Sequence, residues 1–209
     1  QPVTRTRYDA VGNVVETTSP RGAVTRYAYD QLNRLVTRDE PATDNNQRAL
    51  WRYTYTRTGE VLSVTDPTGA RVQSTYDDLD RQVTVTQVER HPVPDNLTTR
   101  LGYDDAGNLT SLTTPSGART SNNYDALGGL TTTTDPNGVI TRFGYDHVGR
   151  QVRMTDGLGR TERSTFDVFG RLASEQDLPP NQTVLRTQSY GYDRAGNLTS
   201  ATDPMQRTT

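Results

Sequence analysis

The feature that most constrains this chain is an internal repeat of about 21 residues. An aromatic residue followed by Asp or Thr recurs nine times, at spacings of 21, 26, 21, 27, 21, 21, 21 and 26 residues. The pairs, which define nine repeat units, are Tyr8-Asp9, Tyr29-Asp30, Tyr55-Thr56, Tyr76-Asp77, Tyr103-Asp104, Tyr124-Asp125, Tyr145-Asp146, Phe166-Asp167 and Tyr192-Asp193. A short period sustained along the whole chain is typical of repeat architectures, in which each unit packs on its neighbours.

Each unit contains two predicted turns. Four residues after each aromatic, which we call the motif aromatic, stands a residue that tolerates positive φ. These residues are Gly12, Asn33, Gly59, Asp80, Gly107, Gly128, Gly149, Gly170 and Gly196. The Asp after the motif aromatic is expected to cap this motif turn by accepting backbone N–H bonds. Fourteen residues after the aromatic, a second turn is predicted at Gly22, Gly69, Gly117, Gly138 and Gly159.

The segments between the turns have the composition and alternation of β-strands. Val61–Thr65 and Leu109–Thr113 follow the motif turn, whereas Val24–Tyr29 and Ile140–Tyr145 lead into the next aromatic. In the second kind, aromatic residues stand at the motif position and two residues before it, so they share one face. Of the 14 Tyr and Phe residues, 13 occupy these two positions. We therefore predict an all-β fold of tandem antiparallel β-hairpins, each with an aromatic face and a polar face.

Composition excludes several classes of protein. Only 31% of the residues are hydrophobic, which indicates a thin core rather than disorder once the repeat is recognised. The 23 basic residues are all Arg, and the net charge of −2 argues against a nucleic-acid partner. No apolar run has the length of a membrane helix, and the absence of Cys excludes a disulfide framework. Because the chain starts at Gln1 without a leader, we interpret residues 1–209 as one array of about nine repeats from a longer protein.

The repeat resembles the YD-repeat, or Rhs-repeat, family. The segments Tyr103–Leu109 and Tyr192–Leu198 match its aromatic-Asp-x-x-Gly-Asn-Leu unit closely, and the in-phase repeats extend the resemblance over the chain. The departures are Asn33 and Asp80 for Gly, Thr56 for Asp, Gly129 where Asn or Arg is usual, and Phe166 for Tyr. The resemblance implies that the hairpins form a curved, spiralling sheet, here an open arc or partial shell.

The resemblance also implies a function. In bacterial Rhs polymorphic toxins and insecticidal toxin-complex C components such a shell surrounds a C-terminal toxin, and in teneurins it belongs to an adhesion receptor. The expected role is a non-catalytic structural segment without a cofactor, in a secreted or cell-surface bacterial protein. Its expected partners are the remainder of its shell and an encapsulated toxin domain. The family's protease motif is matched only in its first four letters, by Asp135–Gly138, so no protease residue is assigned.

Two other functions stay open at this point. The chain could be a cell-surface module that binds carbohydrate or protein through its aromatic face or its longer loops. It could also be a segment that cuts itself beside an Asp-Pro turn. Edge strands at the ends of the array would favour self-association.

Other candidate sites have simpler explanations in the repeat. Asp77, Asp78 and Asp80 lack the spacing of a calcium loop, and neighbouring acids such as Asp104 and Asp105 do not form a glycosidase pair. Neither histidine has a second His or Cys nearby to complete a metal site, and no phosphate-binding loop is present. Four Asn-x-Thr sequons occur; two belong to the repeat itself, and a bacterial chain would leave all four unmodified. The histidines and sequon asparagines are His91, His147, Asn96, Asn108, Asn181 and Asn197.

Three insertions of five or six residues interrupt the period at the second turn. They span Glu40–Trp51, Glu89–Thr99 and Asp177–Thr187. A hairpin loop tolerates such lengthening, so these segments are either neutral expansions or recognition loops.

Overall fold

A computed structural model describes residues 2–41, 48–89, 95–181, 183–205 and 207–208. Within these ranges the chain forms eighteen β-strands and no helix. By its internal contacts it divides into two compact parts, residues 1–101 with 114–116 and residues 102–113 with 117–209. The predicted all-β fold is confirmed, whereas the single array remains a prediction.

The first part contains the strands of the first four repeat units and most of the first strand of the fifth. They are β1 (Arg5–Tyr8), β2 (Val14–Thr18), β3 (Val24–Tyr29), β4 (Leu35–Pro41), β5 (Arg48–Tyr55), β6 (Val61–Thr65), β7 (Arg71–Tyr76), β8 (Gln82–Glu89) and most of β9 (Asp95–Tyr103). From β1 to β9, consecutive strands pair antiparallel with one another.

The second part continues the same pattern. Its strands are β10 (Leu109–Thr113), β11 (Arg119–Tyr124), β12 (Leu130–Thr134), β13 (Ile140–Tyr145), β14 (Gln151–Thr155), β15 (Thr161–Phe166), β16 (Leu172–Leu178), β17 (Arg186–Tyr192) and β18 (Leu198–Thr202). Again every strand pairs antiparallel with its successor. The predicted tandem hairpins are therefore present in both parts.

A β-bulge accompanies the motif aromatic in each described pairing. Tyr145 pairs with Gln151, but Gly144 pairs with Arg153, so Val152 is an extra residue on β14. The same shift of register occurs at Tyr8, Tyr29, Tyr55, Tyr76, Tyr124, Phe166 and Tyr192. A bulge bends its strand and increases the local twist, so every repeat contributes the same distortion beside the motif turn.

The core is thin, as the composition predicts. Among the described residues Leu178 is the one hydrophobic side chain that is fully buried, with 3% of its surface exposed. The other buried side chains are the small hydroxyls Ser63, Ser74 and Thr161. Tyr8 is exposed and the other motif aromatics are half-buried. Stability therefore depends on strand pairing and on contacts between repeats more than on a central hydrophobic cluster.

The insertions lengthen strands as well as loops. The β4–β5 ladder extends to Pro41 opposite Arg48, and the β8–β9 ladder extends to Glu89 opposite Asp95. Residues 42–47 and 90–94, including His91, lie outside the described residues. In the third insertion Pro180 covers the preceding second turn, because a Cβ added to Gly159 would lie 3.3 Å from its Cβ.

Candidate functional site

The motif turn is a four-residue turn closed by two backbone hydrogen bonds. In the unit that starts at Tyr145, the Asp146 N–H donates to the Arg150 carbonyl at 2.9 Å, and the Gly149 N–H donates to the Asp146 carbonyl at 3.0 Å. Gly149 has a φ of 83°. This geometry is a type I turn followed by a left-handed residue with a bulge, a common hairpin connection.

All nine predicted left-handed positions have positive φ. The values are 96° at Gly12, 60° at Asn33, 117° at Gly59, 59° at Asp80, 91° at Gly107, 83° at Gly128, 83° at Gly149, 82° at Gly170 and 91° at Gly196. The predicted second-turn glycines share this conformation, with φ between 81° and 86° at Gly22, Gly69, Gly117, Gly138 and Gly159. Asn33 and Asp80 thus fill the glycine position without changing the turn.

The motif aspartate organises its own turn through both carboxylate oxygens. Asp146 Oδ1 accepts from the Val148 N–H at 3.0 Å and from the Arg150 N–H at 2.9 Å, and its Oδ2 accepts from Arg150 Nε at 2.7 Å. Arg or Asn five residues after the aromatic makes the same contact with Oδ2 in most units. These pairs are Asp9–Asn13, Asp30–Arg34, Asp77–Arg81, Asp104–Asn108, Asp146–Arg150, Asp167–Arg171 and Asp193–Asn197.

These hydrogen bonds lower the pKa of the seven motif aspartates that are paired with Arg or Asn. At Asp146 burial acts to raise the pKa, but hydrogen bonds from the Arg150 backbone and side chain outweigh it, and the pKa falls below the usual 3.8. At Asp9 the hydrogen bond from the Asn13 side chain is the main cause of the lowered pKa. A carboxylate held in its ionised form by its own turn is suited to capping and poorly suited to general acid catalysis.

The unit with Thr56 exchanges the roles of two side chains. Thr56 Oγ1 accepts from the N–H groups of Gly59 and Glu60, both at 3.1 Å, whereas a motif aspartate accepts from the residues two and four positions after it. Glu60 occupies the Arg/Asn position, and its Oε2 accepts from Thr56 Oγ1 at 2.6 Å. The hydrogen bonds from Thr56 and Thr58 lower the pKa of Glu60. The carboxylate thus stands four residues later in this unit, and the turn is still closed by the hydrogen bond from the Thr56 N–H to the Glu60 carbonyl at 2.9 Å.

In six units the tyrosine hydroxyl joins the unit to the one before it. Tyr145 Oη donates to the Leu130 carbonyl at 3.1 Å, and Leu130 lies six residues after the preceding motif aromatic. The acceptor has this same position in five further pairs. They are Tyr29–Val14 at 3.0 Å, Tyr55–Leu35 at 2.7 Å, Tyr76–Val61 at 2.9 Å, Tyr124–Leu109 at 2.9 Å and Tyr192–Leu172 at 3.0 Å. Phe166 has the ring without the hydroxyl and cannot make this bond.

Arginine provides a second link between neighbouring units. The Arg150 guanidinium, already paired with Asp146, lies over the Phe166 ring at 4.5 Å from its centroid. Arg34 lies over Tyr55 at 4.7 Å, and Arg171 lies over Tyr192 at 4.6 Å. In addition, Arg34 Nη1 donates to the Thr56 carbonyl at 2.8 Å and Arg171 Nη1 to the Asp193 carbonyl at 2.9 Å. The motif residues therefore form a chain of contacts from carboxylate to guanidinium to the next aromatic ring.

The second turn has the same construction, which sequence reasoning missed. Asp156 Oδ1 accepts from the N–H groups of Leu158 and Arg160, both at 2.9 Å, and Asp156 Oδ2 accepts from Arg160 Nε at 2.7 Å. The signal was available, because Asp156 precedes Gly159 by three residues and Arg160 follows it, as in the motif turn. Both ends of these hairpins are thus closed by one kind of turn.

The alternative chemical sites find no support in the described ranges. There, no three metal-ligating side chains of the His, Cys, Asp or Glu type come together. Two carboxylates of the run Asp77, Asp78, Asp80 have different partners. Asp77 pairs with Arg81, and Asp80 Oδ1 accepts from Thr58 Oγ1 at 2.9 Å. His147 is an exposed turn residue. The described residues contain no helix that is long and apolar enough to span a membrane.

Comparison with solved structures gives the same fold. The TcdB2-TccC3-Cdc42 crystal structure superposes with a TM-score of 0.75 at 17% identity, over 96% of this chain and 11% of that one. TcdB2-TccC3 without its hypervariable C-terminal region gives a TM-score of 0.76 at 17% identity, with the same coverage. The Photorhabdus luminescens Tc holotoxin pore gives 0.61 at 13% identity, over 98% of this chain and 13% of that one. This chain thus spans about an eighth or less of each.

Sequence comparison identifies the family. No curated protein matches the chain significantly. The family model of the teneurin YD-shell matches residues 7–166, which include eight of the nine motif aromatics. The predicted YD-repeat resemblance is confirmed, and the chain belongs to the teneurin YD-shell family.

Proposed function

We propose that this chain is a non-catalytic structural segment of a YD-repeat shell. The observation that carries the proposal is the set of six tyrosine hydroxyl bonds, each made to the same position of the preceding unit. Together with the aspartate caps and arginine stacks, these bonds engage most motif side chains in holding turns and units together. A wall needs such repeated links, whereas an active site needs polar groups that are available to a substrate.

In the full protein, the wall encloses or displays a C-terminal toxin. Family membership and the likeness in fold to Tc toxin chains support this extension, and the chain spans at most 13% of those chains. The same proposal makes the protein a secreted or cell-surface protein of a bacterium. Its partners are then the remainder of the shell and the toxin domain.

Protease protection of the full-length gene product tests encapsulation. We expect a C-terminal domain that resists digestion in the native protein and is cut rapidly once the shell is unfolded, with a hollow particle in negative-stain electron micrographs. The variant carrying Tyr124→Phe, Tyr145→Phe and Tyr192→Phe lacks three links between units and should lose protection at a lower temperature. A C-terminal domain cut at the same rate in native and unfolded protein would exclude encapsulation.

A separate measurement tests the absence of catalysis. The chain is incubated with glycan, peptide and ester substrates, and its intact mass is followed over days. We expect no turnover and no self-cleavage beside Asp66-Pro67 or Asp135-Pro136. Turnover that disappears when one acidic residue is changed would contradict a purely structural role.

Binding of carbohydrate or protein at a cell surface is the alternative function. The observation in its favour is that the motif aromatics are half-buried or exposed, so part of each ring could contact a ligand. Three of the rings are already covered by arginine on one face. A glycan array without hits, using the folded chain, would exclude carbohydrate recognition by this segment.

A further inference from the structure

One motif aspartate differs from the others in its environment. In the unit that starts at Tyr124, the residue five positions later is Gly129, where Arg or Asn is usual. Asp125 Oδ1 caps its turn normally, accepting from the Leu127 N–H at 2.9 Å and the Gly129 N–H at 2.8 Å. Asp125 Oδ2 has no hydrogen-bond donor among the described residues, whereas each of the other seven motif aspartates has an Arg or Asn donor there.

The neighbouring unit shows what the side chain at this position does. Arg150 donates to Asp146 Oδ2 at 2.7 Å and places its guanidinium 4.5 Å from the centroid of the Phe166 ring. By the repeat, the equivalent groups in the Gly129 unit are Asp125 Oδ2 and the Tyr145 ring. The carboxylate and the ring are therefore both present, but Gly129 has no side chain to join them.

A cavity lies between Asp125 and the Tyr145 ring. It has a volume of about 400 Å³, and its lining includes Asp125, Leu127, Gly129, Tyr145 and Asp146. Asp146 directly follows the motif aromatic Tyr145. In two other units the backbone carbonyl of the equivalent residue, Thr56 or Asp193, accepts a hydrogen bond from a guanidinium N–H. Leu127, which is 93% exposed, offers apolar surface beside the cavity. The lining thus combines an anion, an aromatic ring, a carbonyl acceptor and an apolar side chain.

We propose that this cavity is a binding site for an alkylguanidinium group, the side chain of an arginine supplied from outside the repeat unit. A guanidinium is planar, donates to a carboxylate with two N–H groups and stacks on an aromatic ring. An ammonium group can satisfy the carboxylate, but it cannot stack and reach the carbonyl with the same fixed geometry. The inference concerns this chain alone and does not depend on the proposed shell function.

The test is a titration of the chain with Nα-acetyl-arginine methylamide in which amide NMR spectra are recorded at each ligand concentration. We expect saturable shifts confined to residues such as Leu127, Gly129 and Gly149, with dissociation in the millimolar range, as for an exposed ion pair assisted by a ring. The neutral isostere Nα-acetyl-citrulline methylamide should give no saturable shift. Equal binding of citrulline would overturn the proposal, and equal binding of Nα-acetyl-lysine methylamide would overturn the assignment to guanidinium.

Variants separate the groups that make the site. Asp125→Asn should weaken arginine binding about fivefold or more, since it removes the negative charge. Asp167→Asn is the matched control, because Arg171 already neutralises that carboxylate, and it should leave binding unchanged. Tyr145→Leu should weaken binding about threefold through loss of the ring, whereas Tyr145→Phe should not. An unchanged affinity in Asp125→Asn would overturn the proposal.

Gly129→Arg supplies the guanidinium within the chain. A Cβ here would lie 2.8 Å from Asp125 Oδ2 and 3.2 Å from its Cγ, so the carboxylate has to shift, as it does in the units that carry Arg or Asn at this position. The variant should lose binding of acetyl-arginine completely and unfold about 2 to 4 °C higher, because the contacts of Arg150 are reproduced. Retained binding in this variant would show that the ligand occupies another place.

Discussion

At the residue scale, one hydroxyl group distinguishes a linked repeat from an unlinked one. Tyr145 donates to the carbonyl of Leu130, whereas the equivalent Phe166 keeps only its ring beneath Arg150. The chain thus contains its own comparison between a unit with the hydrogen bond and a unit without it. A typical intramolecular hydrogen bond contributes about 1 kcal/mol net, so the difference is measurable.

Tyr145→Phe should lower the free energy of unfolding by about 1 kcal/mol, because the Leu130 carbonyl loses a donor. Phe166→Tyr should raise it by up to a similar amount, with the Gln151 carbonyl as the equivalent acceptor. Tyr27→Phe is the matched control, since no hydrogen bond of the Tyr27 hydroxyl is present within the described ranges. The measurement is equilibrium denaturation in urea. Equal losses in Tyr145→Phe and Tyr27→Phe would contradict the role of the inter-unit bond.

The capping aspartates make stability depend on pH in a defined direction. Hydrogen bonds from turn residues hold the pKa of Asp9, Asp104 and Asp193 below the usual 3.8. A carboxyl whose pKa is lower in the folded state stabilises it above the unfolded pKa and loses that effect as the pH falls. The thermal midpoint should therefore be nearly constant between about pH 7 and 5 and fall steeply below about pH 4.

Circular dichroism melting curves across this range provide the measurement. Asp146→Asn should have a lower midpoint at neutral pH and a shallower loss in acid, because one titrating cap is absent. A midpoint that rises on acidification would contradict the assignment of these carboxylates as caps.

At the scale of the element, the hairpin is defined by its turns. The same Asp-to-Gly turn closes the motif end, as at Asp146, and the other end, as at Asp156. The strands between the turns are short, with five residues in β14 and six in β13. Because short strands provide few ladder bonds, each hairpin depends on the correct backbone conformation at its left-handed residue.

Gly149→Ala should destabilise the chain by about 1 kcal/mol, because alanine must adopt a φ of 83° there. Packing is not the cause, since an added Cβ would meet no atom within 4 Å. Gly149→Asn should cost clearly less, as Asn33 adopts a φ of 60° at the equivalent position. Thermal denaturation of both variants makes the comparison, and equal losses would show that φ does not determine the cost.

The strands and turns of each hairpin were largely predictable from the repeat. Val61–Thr65 and Ile140–Tyr145 have the predicted bounds because alternation and a turn glycine define both ends of each strand. The bulge opposite Tyr145 was not predictable, since an extra residue within a strand leaves no compositional mark. The tyrosine acceptor at Leu130 is a backbone carbonyl, which any residue would provide. Asp125 was predictable as a turn cap and Gly129 as a departure from the repeat, but the cavity between Asp125 and Tyr145 was not, because it depends on how two repeat units pack.

At the scale of the whole molecule, the packing of strands is sequential: among the described residues of each compact part, backbone contacts between strands join strands that are adjacent in the chain. Stability is then close to a sum of terms for single repeats and for neighbouring pairs. A local change should consequently spread over one or two units and no further. The predicted self-association through edge strands concerns the ends of the array, and it stays a prediction.

Hydrogen exchange can measure how far a disturbance spreads. Tyr29→Ala removes a half-buried ring and its bond to the Val14 carbonyl, so amides in β2 to β4 should exchange at least about tenfold faster. Amides in β13 to β18 should keep their rates. The reciprocal variant Tyr145→Ala should affect β12 to β14 and spare β2 to β4. Faster exchange along the entire chain in either variant would indicate one cooperative unit instead.

The direction of the tyrosine bonds has a consequence for synthesis. In the six hydrogen-bonded pairs the acceptor lies 15 or 20 residues nearer the N terminus than the donor. A ribosome adds a 21-residue repeat in about 1 to 4 seconds, whereas a hairpin forms in microseconds. We therefore expect each new repeat to meet a predecessor that has had time to fold and that presents its carbonyl. The array would then form in the order of translation, with each finished repeat serving as the template for the next.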